Sequence, residues 1–122
     1  TFSQYTHARI KSVLRKAAEQ GIEFPEKLDT SAPLSEKEKG LVQLLTDFAN
    51  VVKQAGDEYN ISLIANYVYD LAKEYNQFYH DFPILREENP ALRDFRLMLS
   101  KNIATTIKRG MSLLGIEVPE RM

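Results

Sequence analysis

Gln4-Tyr5-Thr6-His7-Ala8-Arg9-Ile10-Lys11-Ser12-Val13-Leu14-Arg15-Lys16-Ala17 reads as a helix with two different faces. Ile10, Val13, Leu14 and Ala17 follow the i, i+3, i+4, i+7 spacing of a buried stripe. Tyr5, Arg9, Ser12 and Lys16 fall on a second strip, and at about 100° per residue they lie within roughly 60° of one another. One face can enter a core while the other offers an aromatic ring, a guanidinium, a hydroxyl and an ammonium. Charged helix faces are most often simply solvated, so the rest of the chain must decide what this strip does.

A chain of 122 residues corresponds to one domain, long enough to bury a sizeable core. Hydrophobic residues at 43% and charged residues at 27% are normal values for a globular chain. The absence of cysteine removes any disulfide framework, thiolate nucleophile or thiolate metal site and fits a reducing, cytoplasmic setting. With only two histidines, His7 and His80, an all-protein zinc site is disfavoured. No apolar run approaches the roughly 20 residues needed to span a bilayer, and the opening residues do not have the pattern of a signal peptide. The net charge of −1 argues against a non-specific nucleic-acid coat. A local basic strip is still present, because His7, Arg9, Lys11, Arg15 and Lys16 precede the first acidic residue, Glu19. Thr1 already stands inside an amphipathic pattern, which predicts a piece of a longer protein.

Outward from the opening stretch, the first helix is expected over residues 2–20, with Gly21 as its stop. Residues 22–34 hold Pro25 and Pro33, show no period and read as a connection. Ser35-Glu36-Lys37-Glu38 is a capping box, and the helix it opens is expected to continue through Leu41, Leu44, Leu45, Phe48 and Val52 to about Gly56. A third helix over 61–82 carries the stripe Ile64, Tyr67, Val68, Leu71, Tyr75 and Phe78, with Tyr69 and Tyr79 at its edge or outside it. Phe82-Pro83 ends it. Asn89-Pro90 opens the last helix, with a seam of Leu92, Phe95, Leu99, Ile103, Thr106, Gly110 and Leu114, and Gly115 stops it. Gly110 on that seam predicts a close helix–helix approach. Four or five helices with no strand signal and no repeat specify an all-α bundle.

Catalytic patterns are missing. There is no Gly-rich phosphate loop, no Gly-x-Ser-x-Gly elbow and no His-Glu-x-x-His. The acidic residues are scattered and no pair stands out as an acid–base couple. His80, at a helix end, either meets that helix's dipole or contacts a ligand. Binding is better supported. Single-stranded RNA loops are read by stacking on aromatic or Arg planes together with contacts to base edges. Tyr5 and Arg9, four apart, can supply both from one helix face, and Asn76 and Tyr79, three apart, repeat the arrangement on another helix.

The opening motif resembles the first helix of the C-terminal, DALR-type anticodon-binding domain of arginyl-tRNA synthetases, where the pattern is close to Gln-Tyr-Ala-His-Ala-Arg. Ala65-Asn66-Tyr67-Val68-Tyr69-Asp70-Leu71-Ala72, followed by Tyr75-Asn76-Gln77-Phe78-Tyr79, resembles that domain's central helix. Ala91-Leu92-Arg93 with Arg96-Leu97 resembles its alanine-leucine-arginine element, although Pro90 stands where the family's Asp would be. Leu113-Leu114-Gly115-Ile116 and Pro119-Glu120-Arg121-Met122 resemble the end of such synthetases. Four motifs in the family's order thus cover nearly all of residues 1–122.

The resemblance implies the all-α, four- to five-helix anticodon-binding bundle of class I synthetases, a single domain of a longer chain whose catalytic domain lies elsewhere. It implies a partner, the anticodon loop of arginine tRNA and above all its central cytosine. It implies ATP and Mg in the absent catalytic domain, with no cofactor in this one. The parent would be an arginine–tRNA ligase, while these residues alone lack its signature motifs. Carried onto this sequence, the recognition residues are Tyr5, Arg9, Tyr79 and Met122, with Phe2 as a further aromatic and Asn76 and His80 by adjacency. Lys11, Arg15, Lys16, Lys101, Lys108 and Arg109 are candidate phosphate contacts. A monomer is expected. The rival reading is a helical protein–protein interaction bundle using a Tyr-rich groove.

Overall fold

A computed structural model describes residues 1–24 and 33–115. Five helices follow one another among them: α1 Phe2–Glu19, α2 Glu36–Thr46, α3 Phe48–Asp57, α4 Ser62–Asp81 and α5 Pro90–Leu113. Helix α4 lies at the centre and packs against all four others, and α5 closes the bundle against α4, α1 and α2.

The helix ends obey the local signals. Ser35 and Glu38 form the capping box reciprocally, each backbone N–H bonded at 3.2 Å to the other's side chain. The Asn89 carboxamide oxygen accepts from the N–H groups of Ala91 and Leu92, with Pro90 at the first helical position. Gly21 (φ 76°) and Gly115 (φ 77°) take the left-handed conformation after α1 and α5, which glycine adopts without the steric cost of a Cβ. The stripe on α4 is buried as expected, and Ile10, Val13 and Ala17 join it from α1.

Two expectations fail for identifiable reasons. The single helix expected from Ser35 to about Gly56 is divided at Asp47 into α2 and α3. The Tyr67 hydroxyl donates to Leu44 O at 2.7 Å, the carbonyl that a continuous helix would offer to the N–H of Phe48. A side chain entering the ladder in this way is a recognised cause of helix breaks. Burial, aided by the Asp47 charge, pushes the Tyr67 hydroxyl up to about 12, so it stays a donor. On α5 the seam passes through Ile107 and Met111, both buried, and not through Thr106. The Thr106 hydroxyl instead donates to Asn102 O on its own helix. A 3.6-residue period permits a step of three or four, and packing against both α4 and α1 selects four at this point.

A buried charge holds one end of the bundle. Arg96, 4% exposed, donates from Nη1 to Pro83 O at 2.7 Å and to Glu87 Oε2 at 3.0 Å, and its Nη2 lies 3.5 Å from Glu38 Oε1. Its guanidinium carbon sits 5.3 Å from the Phe82 ring centre. Among the described residues Glu38 Oε2 and Arg96 Nε have no hydrogen-bond partner. The group therefore fixes geometry more than it adds stability.

Two measurements probe this packing. A Cβ at Gly110 would run into Val68 Cγ2, whereas one at Gly40 would meet nothing within 4 Å. Valine is stiff about χ1 and cannot swing aside cheaply. In urea denaturation Gly110→Ala is expected to lose about 1–2 kcal/mol despite its better helix propensity, while Gly40→Ala gains up to about 1 kcal/mol. Arg96→Met is expected to lose about 3–5 kcal/mol by leaving Glu38 buried and unpaired. Adding Glu38→Gln, which keeps the cap, should restore a large part of that loss.

Candidate nucleic-acid interface

The second face of the opening helix is built as the spacing requires. Tyr5 and Arg9 stand one turn apart on α1, and Asn76, Tyr79 and His80 lie on the last two turns of α4, which packs alongside it. The side chains meet at Arg9. Its Nη1 donates to Asn76 Oδ1 at 2.5 Å and its Nη2 to the Tyr5 hydroxyl at 2.6 Å. The guanidinium carbon lies 4.8 Å from the Tyr5 ring centre and 4.6 Å from that of Tyr79. Both distances are within cation–π range. Tyr5 and Tyr79 are 42% and 36% exposed, so both residues remain open to solvent.

Asn76 is oriented by chemistry. The Thr6 hydroxyl donates to Phe2 O at 2.9 Å, so its oxygen is left to accept. Asn76 Nδ2 donates to that oxygen at 2.6 Å and to Ala72 O at 2.9 Å. A carbonyl can only accept, so the amide nitrogen must face Thr6 and Ala72 and the oxygen must face Arg9. Thr6 is buried, one turn before Ile10 on the same stripe, but helical spacing says nothing of its hydroxyl's role in orienting Asn76. Behind the cluster the Ser100 hydroxyl donates to Arg96 O at 2.7 Å, so Tyr75, 2.9 Å away, is the donor to Ser100. Burial holds the Tyr75 hydroxyl well above the usual tyrosine range. Its ring centre lies 6.3 Å from that of Tyr79 and backs it.

The other expected residues divide. Phe2 is 41% exposed and pairs with the exposed Tyr69, ring centres 5.7 Å apart. A shallow concavity of about 380 Å³ gathers Phe2, Arg9, Asn76 and His80 with Lys73 and Gln77. Lys73 and Gln77 were not singled out in the sequence, and Tyr69 was placed only at the edge of the α4 stripe or outside it; 69, 73, 76 and 80 share one helical face, and spacing of that kind is the signal that could have joined them. Met122 lies outside the described residues. Of the six candidate phosphate contacts, Lys16 lines a groove beside Tyr79. Lys101 is drawn over the Phe24 ring at 4.5 Å, and Arg109 lines a separate groove with Val42, Phe95 and Met98. Lys11, Arg15 and Lys108 have interactions of their own. Ser12, on the same strip of α1, lines neither concavity.

Among the described residues no group of three or more His, Asp or Glu is placed to hold a metal ion, and no helix is long and apolar enough to cross a membrane. The arrangement offers flat aromatic surface, a guanidinium with a fixed acceptor beside it, and exposed cations at the margins, which suits a base and its phosphates.

Comparison with known proteins bears on this geometry. A family model described as the DALR anticodon binding domain matches residues 3–122. The chain is 64% identical over 121 residues to an arginine–tRNA ligase of Parabacteroides distasonis, covering 99% of this chain and 20% of that protein. It is 67% identical over 121 residues to an arginine–tRNA ligase of Phocaeicola vulgatus, with the same coverage of 99% and 20%. Among solved structures it is similar to the Thermus thermophilus arginyl-tRNA synthetase, with a TM-score of 0.87 and 34% identity over 99% of this chain and 21% of that one. The chain thus spans about a fifth of the length of the curated relatives it matches.

The hydrogen-bond chain from Thr6 through Asn76 to Arg9 predicts that Asn76→Ala costs about 1–2 kcal/mol in chemical denaturation, because it strips partners from buried or half-buried groups at both ends. Lys73→Ala, on the exposed rim, is expected to stay within about 0.5 kcal/mol of the unmodified chain.

Proposed function

The chain belongs to the DALR anticodon binding domain family, and from that membership we propose that it holds the anticodon loop of an arginine tRNA and reads its central cytosine at the cluster of Tyr5, Arg9, Asn76 and Tyr79. The observation that carries this reading is the Arg9 guanidinium, set against both tyrosine rings and fixed by Asn76. Aromatic rings at the edge of a guanidinium give a base a stacking surface and a charged donor in one place. Phe2 and His80 extend the surface along the adjoining concavity. Met122 belongs to the proposal through the family resemblance, a terminal carboxylate being able to accept from the cytosine amino group.

The names of the relatives suggest the wider role. We read the chain as the tRNA-docking part of a cytoplasmic arginine–tRNA ligase whose catalytic domain, with its ATP and Mg, lies outside these 122 residues. The bundle itself works as a monomer without a cofactor, by binding.

A titration with an arginine anticodon stem-loop, and with the same loop changed at its central cytosine, tests the reading. The unmodified chain should prefer the cytosine. Tyr5→Ala and Tyr79→Ala should each weaken binding by about 1–3 kcal/mol, or roughly 5- to 150-fold, the range for one lost stack. The log–log dependence of affinity on salt should fall with a slope of about −0.7 for each phosphate neutralised. Equal binding of both loops would remove the cytosine reading. A flat salt dependence would point to a protein partner.

A further inference from the structure

Thr6 is 0% exposed, so no ligand touches its hydroxyl. Yet that hydroxyl begins a relay that ends on the Arg9 guanidinium. In a helix a threonine can turn its hydroxyl onto the carbonyl one turn back. Thr6 does so, donating to Phe2 O at 2.9 Å. Its hydrogen is thereby spent, and a lone pair faces Asn76 Nδ2 at 2.6 Å. Ala72 O takes the other amide hydrogen at 2.9 Å. Ala72 O alone would hold one hydrogen and leave the amide free to rock about it. Two acceptors fix the plane of the amide, and its oxygen then accepts from Arg9 Nη1 at 2.5 Å.

The relay sets the polarity of the surface. Asn76 spends both of its donors inside the bundle and turns only its oxygen toward Arg9. Arg9 Nη2 donates to the Tyr5 hydroxyl at 2.6 Å, so that hydroxyl accepts and keeps its own hydrogen to donate elsewhere. A guanidinium has donors and no acceptor. What Arg9 and Tyr5 have left to offer a base is therefore a set of donors. Cytosine carries two adjacent acceptors, O2 and N3, on its Watson–Crick edge. Uracil has the same O2 but an N3–H beside it, which would meet a donor with a donor. With the Asn76 amide released, its N–H groups could turn toward Arg9, and the guanidinium would lose the acceptor that holds it.

We propose that Thr6 is a positioning residue for base selection. Its hydroxyl acts through Asn76 to hold Arg9 as a donor-only contact, which favours a central cytosine over uracil. The inference rests on the RNA-binding reading above. It goes beyond that reading in assigning part of the selectivity to a side chain that never meets RNA. The pattern that the opening motif resembles has Ala where Thr6 stands, so this hydroxyl is not part of the motif itself.

The test compares Thr6→Val, which keeps the shape and removes the hydroxyl, with Thr6→Ser, which keeps the hydroxyl and its bond to Phe2 O. Each is titrated with the arginine anticodon stem-loop and with the same loop carrying uracil at the centre. Thr6→Val is expected to weaken the cytosine loop by about 2- to 10-fold, the worth of one neutral hydrogen bond, and to leave the uracil loop unchanged, so that the preference narrows by the same factor. Thr6→Ser should restore it. Thr106→Val removes a hydroxyl bonded in the same way to Asn102 O, in the groove between α2 and α5, and should leave both affinities unaltered. Without RNA, NMR should show the Asn76 side-chain amide hydrogens exchanging with water faster in Thr6→Val than in the unmodified chain. A loss shared equally by both loops would mean a merely structural role and overturn the inference. So would a Thr6→Val chain that keeps the full cytosine preference, and either result leaves the cytosine reading standing. An unmodified chain with no preference between the loops would overturn both.

Discussion

Burying the Arg96 guanidinium between the helix ends constrains this bundle more than any single apolar contact. An ionised side chain out of water is costly unless it is paired, and the partners of the two Arg96 terminal nitrogens come from separate parts of the chain. Glu38 belongs to the first turn of α2, while the Pro83 carbonyl and Glu87 belong to the connection between α4 and α5. Satisfying one arginine therefore sets where α2 begins, how α4 ends and how α5 enters. The Phe78 and Phe82 rings lie within 6.0 Å and 5.3 Å of the same guanidinium, so the apolar end of α4 is referenced to the same point. Oil-like packing alone would leave these ends free to slide, since apolar contacts are not directional.

That constraint reaches the candidate interface. Asn76, Tyr79 and His80 occupy the last turns of α4, next to Phe78, which is fully buried against this group. Tyr75 links the two regions directly. Its hydroxyl bonds to Ser100, which in turn bonds to the backbone of Arg96, and its ring backs that of Tyr79. The exposed aromatic surface thus rests on an interior joined by hydrogen bonds from Tyr75 through Ser100 to the Arg96 backbone. Rings held in place before a ligand arrives lose less conformational freedom on binding, the usual benefit of preorganisation. A chain with a net charge of −1 can still present a local anion-binding surface, because Lys16, Lys73 and Arg86 border two grooves whose one acidic lining residue is Asp81, while Glu36, Asp47 and Glu74 line another.

Much of the fold could be read from local chemistry. The Ser35–Glu38 capping box, the Asn-Pro start of α5, the Phe-Pro end of α4 and the glycine stops depend on a few neighbouring residues, and all took the expected form. The 3.6-residue stripes of α1 and α4 also held, because each faces one continuous core. The failures came where a distant group intervened. Tyr67, 23 residues from Leu44, captures a carbonyl and divides the second helix. The choice between Thr106 and Ile107 depends on two neighbouring helices at once.

The same division holds for the interface. Local sequence determined that Tyr5 and Arg9 share a face, and that Asn76, Tyr79 and His80 share another, because helical spacing is a short-range property. Sequence also determined the family, since four motifs in order constrain nearly the whole chain. Only the tertiary structure decided that the two faces converge on one guanidinium, that Thr6 sets the direction of the Asn76 amide, and that Lys16 accompanies Tyr79 while Lys101 and Arg109 lie elsewhere. Those facts depend on the relative rotation of α1 and α4 about their axes. That rotation is set by how Ile10, Val68, Phe78 and their neighbours fill a common core, and no residue's immediate sequence contains it.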